Sequence, residues 1–97
     1  MSKLHTDNLN PYEALANAIV KSAAEDYMRA YRKYMKKPER KGYYEDVMRE
    51  EKFFKSEWFR VLTNVDPVYL VNHMQEVVER DLLEKGYGRI GGLAYDF

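Results

Sequence analysis

Apolar positions along this chain recur at helical rather than strand spacing. Between residues 12 and 34 the stripe Tyr12, Ala16, Ile19, Ala23, Tyr27, Ala30 and Tyr34 advances in steps of three and four, the signature of one helix face. Asn10-Pro11-Tyr12-Glu13 supplies the start. The asparagine can cap free amides, the proline sits where a missing N–H costs nothing, and the glutamate can reach back. Lys36-Lys37 puts positive charge at the far end, where the helix dipole favours it, and Pro38 disfavours helix at Lys37. The pattern predicts a first helix over about 11–36, roughly 38 Å long. Residues 37–42 follow as a connector that Gly42 closes. The small alanines on the stripe predict a closely approaching neighbour.

A second helix is expected over about 43–55, with Tyr44, Val47 and Met48 inward. Within it begins the aromatic centre of the chain, where Phe53, Phe54, Trp58 and Phe59 include the only tryptophan and three of the four phenylalanines. Each such ring buries roughly 150–250 Å². On one continuous wheel Phe54, Trp58, Val61 and Leu62 share a face that Val47 and Val65 extend, while Phe53 and Phe59 fall to opposite sides of it. Rings nearly all round predict a bend near Lys55-Ser56, with Ser56 capping a short helix over about 57–62. Asp66-Pro67 is a further capped start, and Val65 and Leu70 are spaced as a hydrophobic staple across it. The last helix is expected over about 67–85, with Leu70, Met74, Val77 and Val78 on its core face and Gly86 as its stop. No convincing strand alternation appears. The expected fold is a small all-α bundle of three main helices and one short one. Aromatic bulk around Trp58 would close it and leave only an outer flank free for recognition.

A length of 97 residues at 45% hydrophobic content suits one domain over 1–97. Residues 1–9 read as a polar tail, 10–85 as the bundle and 86–97 as a glycine-rich tail, docked or free. No apolar run reaches membrane-spanning length and the start lacks a signal core. The absence of cysteine excludes disulfides and thiolate metal sites.

Sixteen basic and sixteen acidic residues cancel, but unevenly. Arg29, Arg32, Lys33, Lys36, Lys37, Arg40 and Lys41 stand against Glu39 alone, so a basic elbow at 29–41 faces an acidic remainder. With Tyr31, Tyr43 and Tyr44 nearby, the elbow carries the residue types that hold a phosphate backbone or a nucleotide. The plainer alternative is a solvated face that satisfies the helix dipole. A second stripe on the first helix, Ala24, Met28, Tyr31 and Met35, points away from Ile19. Methionine and tyrosine there suit either an adaptable protein contact or a helix buried on two sides. Met28, Tyr31, Met35, Tyr43 and Tyr44 are the candidate partner-binding residues, and a homo-oligomer would also cover the stripe.

Other chemistry is thin. Gly86-Tyr87-Gly88-Arg89-Ile90-Gly91 spells G-x-G-x-x-G, but it follows a helix instead of a strand and leads into no further helix, so the dinucleotide fingerprint is rejected. Asp26 and Asp81 fall beside apolar faces, where two carboxylates that met would share a proton or a metal. The structural alternative is that they accept hydrogen bonds from tyrosine or arginine. His73 borders the last helix's core face and His5 lies in the tail; neither has a partner at metal-ligand spacing. No catalytic residues, metal or cofactor are expected, and the chain is read as a non-enzyme.

Asn10 to Val20, running into Asp26-Tyr27, and the block Phe53-Phe54-Lys55-Ser56-Glu57-Trp58-Phe59-Arg60-Val61-Leu62-Thr63-Asn64-Val65-Asp66-Pro67-Val68-Tyr69-Leu70 carry a resemblance. They are similar to small helical proteins encoded by phages, prophages and integrative elements of Gram-positive bacteria. The resemblance implies a setting in the cytoplasm of the bacterial host and stoichiometric binding to a host or defence protein, as anti-CRISPR and other counter-defence inhibitors act. It covers neither the basic elbow nor the tail and supplies no functional residues. The leading expectation is a non-catalytic interaction protein; the alternative is a nucleic-acid or nucleotide binder using the elbow.

Overall fold

The computed structural model describes residues 10–86, and the expected glycine-rich tail lies almost wholly outside them. The described chain is all-helical: α1 Pro11–Lys36, α2 Lys41–Phe54, α3 Glu57–Leu62 and α4 Pro67–Glu84. Local chemistry sets most of the ends. Asn10 caps α1 by accepting the Glu13 N–H at 2.7 Å, and Asp66 caps α4 by accepting the Val68 N–H at 3.0 Å. Gly86 ends α4 with φ +90°, a conformation that glycine adopts without a Cβ clash. The largest displacement from expectation is at the start of α2. It begins at Lys41, so Gly42 lies inside the first turn and the connector shortens to Lys37–Arg40.

The bend after α2 turns on one hydroxyl. Ser56 Oγ donates to the Phe53 carbonyl at 2.6 Å and accepts the Phe59 N–H at 3.2 Å. It thereby satisfies the last turn of α2 and the first of α3 together. The extended Ser56 backbone (ψ 161°) resets the helical phase, so residues beyond it no longer continue the wheel that runs through Phe54.

That reset decides the core. Phe59 takes the inward position and is 0% exposed, whereas Trp58 is 55% exposed and Val61 79%. The expectation that Trp58, Val61 and Val65 form the buried face with Phe54 is therefore corrected; Val65 is also exposed. The aromatic centre survives with a different member at its heart. Phe54 and Phe59 meet at 5.4 Å and 65°, and Phe53 lies edge-on to both and to Trp58. Such edge-to-face contacts add to area burial.

Around these rings gather Tyr27, Tyr31 and Met35 of α1, Val47 of α2, and Met74, Val78 and Leu82 of α4. Tyr27 meets Phe54 and Tyr34 meets Tyr44, which sets α1 and α2 antiparallel. Tyr27 to Gln75, Tyr31 to Glu79 and Arg32 to Asp81 are separated by 48, 48 and 49 residues. That near-constant offset means α1 and α4 run in the same direction. The C-terminal half of α1 is thus flanked by α2 and α4, and its two stripes are both covered. Tyr31 (8% exposed) and Met35 (7%) are buried, and Met28 packs partly buried against the core. They do not form an outward partner-binding face, and of the two alternatives the helix buried on two sides holds. Two positions expected inward on α2, Tyr44 and Met48, are exposed instead.

Candidate partner-binding surface

The reach of α1 creates the surface. At 26 residues it spans about 39 Å, while the 14 residues of α2 and 18 of α4 span about 21 and 27 Å. The shorter helices gather on its C-terminal half and α3 crosses near Ile19, so the first turns of α1 outrun their cover. Their inward stripe continues nonetheless. Tyr12 (80% exposed) and Leu15 (57%) lie on α1 opposite Trp58 and Val61 of α3. Phe53 lies edge-on to the indole at 5.9 Å, yet all four side chains stay more than half exposed.

Two clefts flank the Trp58 ring. One, of about 470 Å³, runs between the first turns of α1 and α3, with Tyr12, Leu15, Ile19, Val61 and Leu62 in its walls. The other, of about 430 Å³, opens between α1 and α2 over Ala18, Ala23 and Phe53. Trp58 and Ile19 belong to both, so the two form one groove divided by the indole. Its charged wall residues are all carboxylates: Glu13 in one cleft, Asp26 and Glu50 in the other. Asp26 is matched by Arg29 at 2.9 Å, whereas Glu13 and Glu50 have no ion-pair partner among the described residues. A large exposed indole beside aliphatic side chains is the composition of an interaction surface. In the sequence Trp58 and Val61 read as core and Tyr12 as part of the inward stripe, because periodicity does not show where the neighbouring helices end. Their signal was present, in a stripe longer than any partner helix available to cover it.

The basic elbow is partly consumed by the fold. Arg29 pairs with Asp26, and Arg32 reaches Asp81 at 3.4 Å. Arg40 lies over the Tyr43 ring at 5.5 Å. Lys33, Lys36, Lys37, Arg40 and Lys41 are exposed, and Lys33 and Lys36 stand in the last turn of α1, where they offset its dipole. Tyr43 is half-buried and Tyr44 exposed in the first turns of α2.

The acidic candidates serve the scaffold. Asp26 binds Arg29, while Asp81 binds Arg32 and, at 3.4 Å, Lys85. They engage separate cations, and neither is buried. The tyrosine hydroxyls go elsewhere. Tyr31 donates to Glu79 at 2.6 Å, and Tyr27 accepts from Gln75 at 2.8 Å. Nothing in the sequence pattern singles out Gln75 and Glu79, which flank the Met74–Val78 stripe. Burial, reinforced by the Glu79 carboxylate, pushes the Tyr31 phenol pKa well above its ordinary value of 10.0. Burial likewise raises that of Tyr27, partly offset by the Gln75 hydrogen bond.

His73 is exposed and stacks on Tyr69 at 5.9 Å rather than bordering the core. Among the described residues no three metal-ligating side chains cluster, and no helix is long and apolar enough to cross a membrane. No family model, curated protein or solved structure matches the chain.

Proposed function

We propose that this chain is a non-catalytic interaction protein that binds a protein partner stoichiometrically through the groove around Trp58. The observation that carries the proposal is that four of the exposed large apolar side chains, Tyr12, Leu15, Trp58 and Val61, gather along one groove. Desolvating a large ring within such a strip is how a few residues come to dominate an interface. The resemblance to phage- and prophage-encoded proteins suggests where to look: a host or defence protein of a Gram-positive bacterium, held inactive by one-to-one binding. The test compares the wild-type chain with Trp58→Ala and Leu15→Glu as immobilised baits in host lysate at moderate salt. The expected result is one stoichiometric partner that wild type retains and both variants lose. No stable partner, or one retained equally by the variants, would overturn the proposal.

A second reading rests on the exposed lysines of the elbow and the Arg40–Tyr43 contact, which suit a phosphate backbone or a nucleotide. It predicts binding that weakens steeply with salt and disappears in a Lys33→Glu, Lys37→Glu, Lys41→Glu triple variant. Fluorescence anisotropy with DNA, RNA and nucleotide probes reads both.

A further inference from the structure

The groove has two properties beyond being apolar, and together they specify its occupant. It runs along α1 from Asn10 to Asp26, about 24 Å, the length of a helix of about 16 residues. Its charged wall residues are acidic at both ends, through Glu13 in one cleft and Glu50 in the other. No lysine or arginine lines either cleft.

From this we infer that the groove takes an amphipathic, basic helix of a partner protein, an inference that rests on the binding function proposed above. Apolar side chains at i, i+3, i+4 and i+7 of the guest enter the two clefts on either side of the indole. Lysines or arginines flanking that stripe meet Glu13 and Glu50. The walls are helices and the described residues include no strand, so an extended guest would find no sheet edge to extend. A second copy is disfavoured by the same charges. In a two-fold contact each patch meets its own kind, which sets carboxylate against carboxylate. A phosphate-bearing guest is repelled for the same reason.

The test uses the full chain and a displayed library of 18-residue peptides. Every member carries one apolar stripe at helical spacing, and its flanking positions are randomised between lysine and glutamate. Selection on wild type is expected to enrich lysine over glutamate roughly two- to tenfold, the effect of one or two rim ion pairs. A selected peptide should also shift the emission of Trp58 to the blue. Glu13→Lys with Glu50→Lys should abolish or reverse the preference while the apolar stripe still binds. Selection of peptides without charge bias, or with glutamate in excess, would overturn the basic partner yet leave the binding surface standing. No enrichment over a Leu15→Glu control would remove both. Leu15→benzoylphenylalanine in the chain alone reports the other occupants. Photocrosslinks to residues 1–9, or between two copies, would assign the groove to them and overturn the inference.

Discussion

Tyr12 and Tyr27 lie on one stripe of one helix, yet Tyr27 is 0% exposed and Tyr12 80%. Their chemistry is the same and their helical phase is nearly so. What separates them is the length of the neighbours. Around Tyr27, α2 supplies Phe54 and α4 supplies Gln75, and both the ring and its hydroxyl are satisfied. Around Tyr12, among the described residues, only α3 comes close, and it is six residues long. The C-terminal half of α1 is therefore scaffold and the first turns are surface, although no change of composition marks the border between them.

The same contrast recurs between two adjacent rings of α3, and there it can be broken most sharply. Phe59→Ala removes a fully buried ring that Phe53 and Phe54 both contact, and is expected to cost about 3–5 kcal/mol. Trp58→Ala removes a larger side chain that the fold only half covers, so about 1–1.5 kcal/mol is expected. Urea midpoints of the two variants measure the difference directly. Equal losses would mean that the indole is core after all and the groove closed.

The polar ladder between α1 and α4 tests the covered half from its hydroxyl side. Because burial raises the phenol pKa of Tyr31 and Tyr27 above 10.0, the folded chain keeps protons that the unfolded chain releases. Stability from this source is whole below pH 10 and declines as pH rises above it. Denaturation midpoints across the alkaline range should show that fall, and absorbance at phenolate wavelengths should show two tyrosines titrating late. Tyr31→Phe is expected to cost about 0.5–1.5 kcal/mol at neutral pH through the lost bond to Glu79. It should also flatten, without removing, the alkaline decline, since Tyr27 remains.

On the uncovered side the smallest effect is the informative one. Leu15→Glu touches no core residue and should change stability by no more than about 0.5 kcal/mol, while eliminating partner capture. A large destabilisation would show that the first turns of α1 are held by the fold, and would sharpen the border between scaffold and surface toward the N-terminus.

Much of this protein was legible in its sequence because helix ends are local events. The Asn10 and Asp66 caps, the Pro11 and Pro67 starts, the Ser56 break and the Gly86 stop each depend on a few neighbouring residues. The periodic stripes likewise announced an all-helical chain. Which stripe is covered, and over what length, was not legible, since that depends on how far other helices reach. Hence Tyr31 and Met35, which read as an outward face, are buried because α4 runs parallel to α1 along that side. Trp58, which read as the centre, is displaced because a single extended residue at Ser56 turns the phase of α3 and gives Phe59 the inward position. Short-range hydrogen bonding wrote the elements; only their mutual packing, a long-range matter of length and phase, divided the apolar residues between core and groove.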